Sequence, residues 1–452
     1  MIKLTKIVSI LIALALLISL AACGGNSTTS DTTKAAVTTT AAAASTTAAT
    51  TQAAEKVKIK FLMMSADDNR NNIRDKYIKE NVGKEMPNVE VEYDLGGGGQ
   101  DYANKLKAYN ASGDMPDVWF SEQNLSAVVI AAGNALDLLP NIQKSGYDKK
   151  MKLPALVAPD KDGKLYCVVP GADQYFTPRI WYHKDIFAKY NIEVPKTFDE
   201  LVKVCETLKA KGLVPMSIFG KDGWVPNLCM VQTMIMAEDP SVAQALCDGK
   251  TDFSNPVVKN ALGRIQKLVQ IGAFDKGVTN VDYGPSIEAY TSGKAAMLVM
   301  FSWEATNLEK AAPDTDFIPW PSAKDGIDPN GAIQYWGAPL SGYLASAKSK
   351  NPDTAADFAI FCGVQEANYW NDSGAPTMYD TGKEVNITSP LLKKSLDQFN
   401  AAANKIPSMW AATFNTKMSA EFATQNSKLL TGQYSPDDYI KVINPIWAEN
   451  FK

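Results

Sequence analysis

Histidine is nearly absent: His183 is the only one in 452 residues. That removes zinc sites built on paired histidines and leaves a serine or cysteine triad without its usual base. Carboxylate chemistry stays open. Cysteine is sparse too. Beyond Cys23 there are Cys167, Cys205, Cys229, Cys247 and Cys362, an odd number at irregular spacing with no CxxC. Zero or one disulfide is therefore expected rather than a framework. Cys205 falls on an apolar helix face and Cys167 inside an apolar strand pattern, where a thiol serves as a small hydrophobe. Basic charge is not in excess either. With Lys3 and Lys6 removed as part of an export signal, 43 basic residues face 49 acidic ones, a net charge of −6. Such a balance lacks the basic footprint of a nucleic-acid binder. No segment after the N-terminal one reaches eighteen uninterrupted apolar residues, so no second membrane element is expected.

What is present begins with an address. Lys3 and Lys6 precede an uncharged apolar run from Ile7 to Leu20, which has the charged and apolar regions of a secretory signal and is short for a membrane span. The run ends on Leu20-Ala21-Ala22-Cys23, which resembles the lipobox of bacterial lipoproteins, where the thiol is acylated and cleavage leaves the modified cysteine first. An ordinary cleavage site that happens to contain cysteine is the alternative. Acyl chains contribute about 0.8 kcal/mol per buried CH₂, so several on one residue would hold a soluble domain at the membrane surface. Residues 24 to about 55 are nearly all Thr, Ala, Ser and Gly; nothing there offsets the entropy of ordering, and a flexible stalk is expected.

The remaining chain, about 397 residues, exceeds the size at which one core stops growing, so two lobes are expected. Val57–Met64 and Val89–Tyr93 begin with period-two alternation, each followed by a helical pattern, Asn69 to Lys84 and Asp101 to Ser112; Pro116–Phe120 adds a third strand and Ala127 to Ala135 another helix. This β-α-β-α opening predicts a layered α/β lobe. Thr197-Phe198-Asp199-Glu200 matches a capping box. Ser254-Asn255-Pro256, Asn351-Pro352 and Ser435-Pro436 each open a helix with proline in its first turn. The second half shows fewer obvious strands, which predicts a more helical second lobe.

Gly96-Gly97-Gly98-Gly99 lacks the Lys-Ser/Thr ending of a phosphate loop and reads as a strand-to-helix turn. No metal set and no cofactor motif is legible. The aromatics say more. Nine tryptophans are present, several in turn contexts: Trp224 in Gly-Trp-Val-Pro, Trp303 in Ser-Trp-Glu, Trp336 in Tyr-Trp-Gly, Trp410 in Met-Trp-Ala. A sugar ring has an apolar C–H face and a rim of hydroxyls, which suits an indole beneath it and acids or amides around it. For a single Trp, core packing is the commoner fate; four in turns favour a ligand cleft.

Specific segments resemble the family 1 extracellular solute-binding proteins, the maltose-binding-like subunits of ABC importers. They are Gly113-Asp114-Met115-Pro116-Asp117-Val118; Trp181 to Phe187 continuing through Val194-Pro195-Lys196-Thr197-Phe198-Asp199-Glu200-Leu201; Gly293-Lys294-Ala295-Ala296-Met297 with Phe301-Ser302-Trp303; and Ala355-Ala356-Asp357-Phe358. The resemblance implies a periplasmic-binding-protein-like α/β fold of class II. Its two discontinuous lobes would comprise 57–170 plus 338–374 and 171–337 plus 375–452, preceded by a signal peptide (1–22) and a lipidated stalk (23–55). Crossings are expected near 168–175, 336–342 and 373–377, with Gly171 and Gly342 suited to absorb dihedral change.

The resemblance further implies a monomeric, non-enzymatic receptor lipid-anchored at Cys23 on the extracytoplasmic face of a bacterial membrane. It would hand a carbohydrate to the transmembrane subunits of an ABC permease, with no metal or cofactor and no nucleic acid. Positions carried over as ligand-binding are Asp67, Asp68, Asn69, Ser121, Glu122, Asn124, Asp173, Gln174 and Tyr175, with Trp303, Trp410, Trp224 and Trp336 as stacking aromatics. His183 stands where the family has Asn and reads as structural. Ser302 stands where it has Gly, which puts the local backbone approach to a sugar in doubt. A two-carboxylate glycosidase and a receptor for a non-carbohydrate solute are the rival readings.

Overall fold

Ten strands follow one another among the described residues: β1 Val57–Met63, β2 Val89–Leu95, β3 Val118–Ser121, β4 Pro178–His183, β5 Val214–Ser217, β6 Ala295–Phe301, β7 Thr315–Ile318, β8 Ala332–Tyr335, β9 Gly342–Ala345 and β10 Asn404–Pro407. The computed structural model describes residues 56–65, 68–160, 162–171, 173–221, 223 and 227–451. The signal, Cys23, the stalk, Asp67 and Trp224 lie outside them.

The first sheet has the order β2-β1-β3-β9, with β1 parallel to β2 and β3, and β9 antiparallel to β3. The alternation of Val57-Lys58-Ile59-Lys60 gives way to Phe61, Leu62 and Met63, all fully buried, because β1 is central and both faces are covered at its C-terminal end. The second sheet has the order β5-β6-β4-β7, with β4 antiparallel to both neighbours. Every residue of β4 and β6 is buried. A short parallel ribbon joins β8 to β10.

Each four-stranded sheet has its own core: Phe61, Trp119, Tyr343 and Phe358 belong to the first, Trp181, Leu201, Ile265 and Phe301 to the second. The second half is rich in helices, as expected, yet its sheet has as many strands as the first. Met378, Tyr379, Phe399 and Ala402, beyond the expected boundary at 374, pack in the first core.

Local signals lie where the sequence put them. Thr197 Oγ1 accepts from Glu200 N at 3.3 Å while Glu200 Oε2 accepts from Thr197 N at 3.2 Å, a complete capping box on the helix Phe198–Ala210. The tetraglycine makes the turn from β2 into the helix Gly99–Ser112. All five described cysteines are free. His183 is buried, with its Nε2 2.8 Å from Tyr290 O and its ring stacked on Tyr290 at 4.2 Å.

The segments expected to cross between lobes lie side by side. Val168 and Tyr343 exchange backbone hydrogen bonds of 2.9 Å in both directions, and Met378 N donates to Gly171 O at 3.1 Å. A Cβ on Gly342 would stand 2.0 Å from Val168 O, so only glycine admits this approach; Gly171, at φ +79°, packs against Met378. Both glycines are thus fixed by close packing of the crossings.

Candidate functional site

One wall of the candidate site grows from the first sheet. Arg70, one turn into the helical run after β1, donates from Nη1 to both oxygens of Glu366 at 2.9 and 2.8 Å. Its guanidinium lies 3.8 Å over the ring of Phe120 on β3. Glu366 belongs to the helix Pro352–Asp372 and also accepts from Tyr343 Oη on β9 at 2.7 Å and from Trp370 Nε1 at 3.2 Å. The carboxylate is 2% exposed and holds four bonds from three donors. Burying it is tolerable only because those donors replace its water.

Arg70, Phe120, Glu366 and Trp370 line a cavity of about 60 Å³ together with Pro170, Phe176 and Ser341. Pro170 and Ser341 lie in two of the crossing segments. The cavity therefore sits where the first sheet meets the segments expected to cross.

A second, aromatic cluster comes from the second sheet. At the end of β6, Phe301 and Trp303 stack at 4.4 Å with an interplanar angle of 3°. Phe176 meets Trp303 edge-on at 5.8 Å, and Trp336 meets Phe301 edge-on at 6.1 Å. Phe176 thus ties this aromatic shelf to the cavity. Trp303 Nε1 donates to Tyr283 Oη at 2.8 Å, and Tyr283 Oη in turn donates to the buried Glu304. Asn307 Nδ2 donates to the other Glu304 oxygen at 3.0 Å. Burial, and then the bond to Glu304, push the Tyr283 phenol up, so it remains a neutral donor and acceptor.

The residues carried over by resemblance divide into groups. Trp303 and Trp336 stand on the shelf. Trp410 is half-buried in the turn Met409–Thr413, against Phe414, and that turn comes against the helix Gln123–Ala131 that carries Asn124. Glu122 is exposed just before that helix. Ser121 is buried, its hydroxyl donating to Glu122 O at 3.4 Å. Asn69 is exposed and accepts from Tyr369 Oη at 2.5 Å.

Two others are engaged within the protein. Gln174 is buried, with Oε1 accepting from Ala338 N at 3.1 Å, and Tyr175 Oη donates to Thr377 O at 3.1 Å. Both join one crossing to another. Ser302 is buried and its Oγ accepts from Thr177 N at 3.1 Å, so it braces the short segment that leads from the expected first crossing into β4. Asp68 and Asp173 lie in a helix and a 3-10 turn respectively.

The sequence reading missed Arg70, Glu366, Trp370, Phe176 and Tyr283. Arg70 and Glu366 are separated by 296 positions, and no spacing rule links them. A signal existed for Glu366: it interrupts the apolar run Phe358-Ala359-Ile360-Phe361-Cys362 and onward to Tyr369-Trp370, and an acid on the buried side of a helix needs a partner.

Among known proteins, the chain is similar to the multiple sugar-binding protein of Streptococcus mutans, 25% identical over 304 residues that cover 64% of this chain and 69% of the relative. It is similar also to the maltodextrin-binding protein MdxE of Bacillus subtilis, 23% identical over 65% of this chain and 66% of the relative. The curated relatives are covered over between 35% and 73% of their own length. The solved structure of a chitin oligosaccharide binding protein superposes with a TM-score of 0.72 at 22% identity, over 88% of this chain and all of that one. RafE in complex with raffinose gives 0.64 at 21%, over 87% of this chain and all of that one. These likenesses establish a shared fold. The family described as bacterial extracellular solute-binding protein matches residues 68–369, about two thirds of the sequence. The chain belongs to that family.

Proposed function

We propose that this protein is the substrate-binding subunit of an ABC importer and that it captures a carbohydrate, an oligosaccharide by preference, between its two lobes. The observation that supports this reading is that two unlike clusters meet at Phe176, which lines the Arg70–Glu366 cavity and packs edge-on against Trp303. The Phe301–Trp303 shelf supplies an apolar platform, and the Arg70–Glu366–Trp370 cluster supplies a fixed set of charged and polar groups, with Phe176 between them. Saccharides need both, a flat C–H face covered and a hydroxyl rim hydrogen-bonded. The names of the relatives, which bind multiple sugars, maltodextrin and raffinose, support the same class.

In this reading the lobes follow the boundaries set out from the resemblance, except that Met378, Tyr379, Phe399 and Ala402 join the first lobe's core, and the laced crossings are the hinge. A ligand that contacts both clusters only when the lobes are closed binds the closed form better and shifts the population toward it. The permease then reads the closed form, and no bond of the ligand breaks. The protein acts as a monomer on the outer face of the cell membrane, held by lipid on Cys23.

Calorimetric titration against a panel of mono- and oligosaccharides tests the central part. Saturable binding of at least one saccharide, with no cleavage products on prolonged incubation, supports it. A panel without binding, or turnover of the ligand, overturns it. Substituting Cys23→Ala should release the protein into the medium; retention at the membrane would refute the anchor.

A further inference from the structure

A second cavity, of about 40 Å³, lies beside β4 and β8. Its lining includes Arg179, Trp320 and Gln334, with Asp328 at the exposed side. Arg179 sits on β4 opposite Met300 and is 3% exposed. Its one hydrogen bond runs from Nη1 to the carbonyl of its own neighbour, Pro178, at 3.2 Å. The guanidinium lies 5.3 Å from the Phe317 ring. No described carboxylate pairs with it. Asp328, exposed, accepts from Asn330 N at 2.8 Å instead.

Four of the five orphaned atoms on these residues are donors. Arg179 Nε and Nη2, Trp320 Nε1 and Gln334 Nε2 are buried donors without an acceptor; Gln334 Oε1 is the one orphaned acceptor on these residues. Four unpartnered donor nitrogens and a buried positive charge belong to three residues that line one cavity. A buried charge left unpaired costs several kcal/mol, so such a group is kept where something neutralises it. Burial alone pushes the guanidinium down to about 9, which leaves it charged at neutral pH. The pattern on Arg179 is informative as well. Nε and Nη2 form the side edge of the guanidinium, the fork that matches two oxygens of one anion in parallel.

We propose that this cavity binds an oxyanion, which presents two oxygens to the Nε/Nη2 edge of Arg179 and is held further by Trp320 and Gln334. The site is separate from the Arg70–Glu366 cavity. It adjoins both Pro178, where the first crossing enters β4, and β8, which leads into the second crossing. Its occupant thus stiffens the second lobe beside the hinge. Phosphate, sulfate and the carboxylate of a small organic acid share the required chemistry.

The test is a thermal-shift and calorimetric titration of the purified protein with phosphate, sulfate and acetate, each against chloride at matched ionic strength. A saturable rise in Tm with phosphate or sulfate identifies an inorganic occupant, and one with acetate alone a carboxylate. Arg179→Met should weaken the binding by about tenfold or more, since it removes the charge-assisted fork. Trp320→Phe, which keeps the ring and loses one donor, should weaken it by about threefold; it also serves if the Met variant fails to fold. Equal Tm in oxyanion and chloride, or unchanged affinity in Trp320→Phe, overturns the proposal.

Discussion

Removing the indole of Trp303 is the sharpest single perturbation of the proposed cleft. The ring is half-buried, stacked on Phe301 at 4.4 Å and tied through Nε1 to Tyr283 Oη at 2.8 Å. A sugar lying on it would cover about 60 Å² of apolar surface, worth about 1.5 kcal/mol at about 25 cal/mol per Å². Trp303→Ala should therefore raise Kd about tenfold, since about 1.4 kcal/mol is a factor of ten. The same change removes the Phe301 stack, a loss of about 1 kcal/mol in stability, so Tm should fall by a few degrees without loss of the fold. Trp303→Phe keeps a ring and loses only the bond to Tyr283, and should lie between the two. Calorimetry with the best ligand of the panel is the assay, with circular dichroism to confirm folding. An unchanged Kd in a folded Trp303→Ala protein would refute the reasoning and remove the shelf from the site.

Other expectations concern the scaffold and the charged cluster. Glu366→Gln leaves Arg70 beside a neutral amide and should cost about 3 kcal/mol, the low end for breaking a buried pair because Arg70 retains some solvent; urea denaturation checks it. Gly342→Ala places a Cβ 2.0 Å from the Val168 carbonyl, and should destabilise by about 2 kcal/mol through overpacking where the crossings touch, again read in urea. Burial pushes the Cys205 and Cys247 thiols up to about 12 and those of Cys229 and Cys362 well above their usual range. Ellman's reagent at pH 8 should therefore label none of these four quickly in the native state and all of them in denaturant.

Elements with a local cause were legible in the sequence. The alternation of β1 and β2, the Thr197 capping box and the proline-led helices each depend on neighbours within a few positions, and each is where the pattern placed it. β6 was legible only as a motif, because Ala295-Ala296-Met297-Leu298-Val299-Met300-Phe301 is uniformly apolar and a strand buried on both faces has no period to read. The tryptophan of the shelf was found by resemblance and turn context. The charged wall was not, since Arg70, Phe120, Tyr343 and Glu366 come from four elements assembled only by the sheet order β1-β3-β9 and the helix packed on it. Gln174 and Tyr175 show the converse: polar residues in a crossing look like ligand contacts in sequence, yet their side chains are bonded to Ala338 and Thr377.

The most direct measurement is a crystal structure with the saccharide selected by calorimetry. The account predicts one sugar ring over Trp303 and hydroxyls within hydrogen-bond reach of the Arg70–Glu366–Trp370 cluster, with both lobes in contact with the ligand. A saccharide bound on one lobe alone, or away from both clusters, would contradict it.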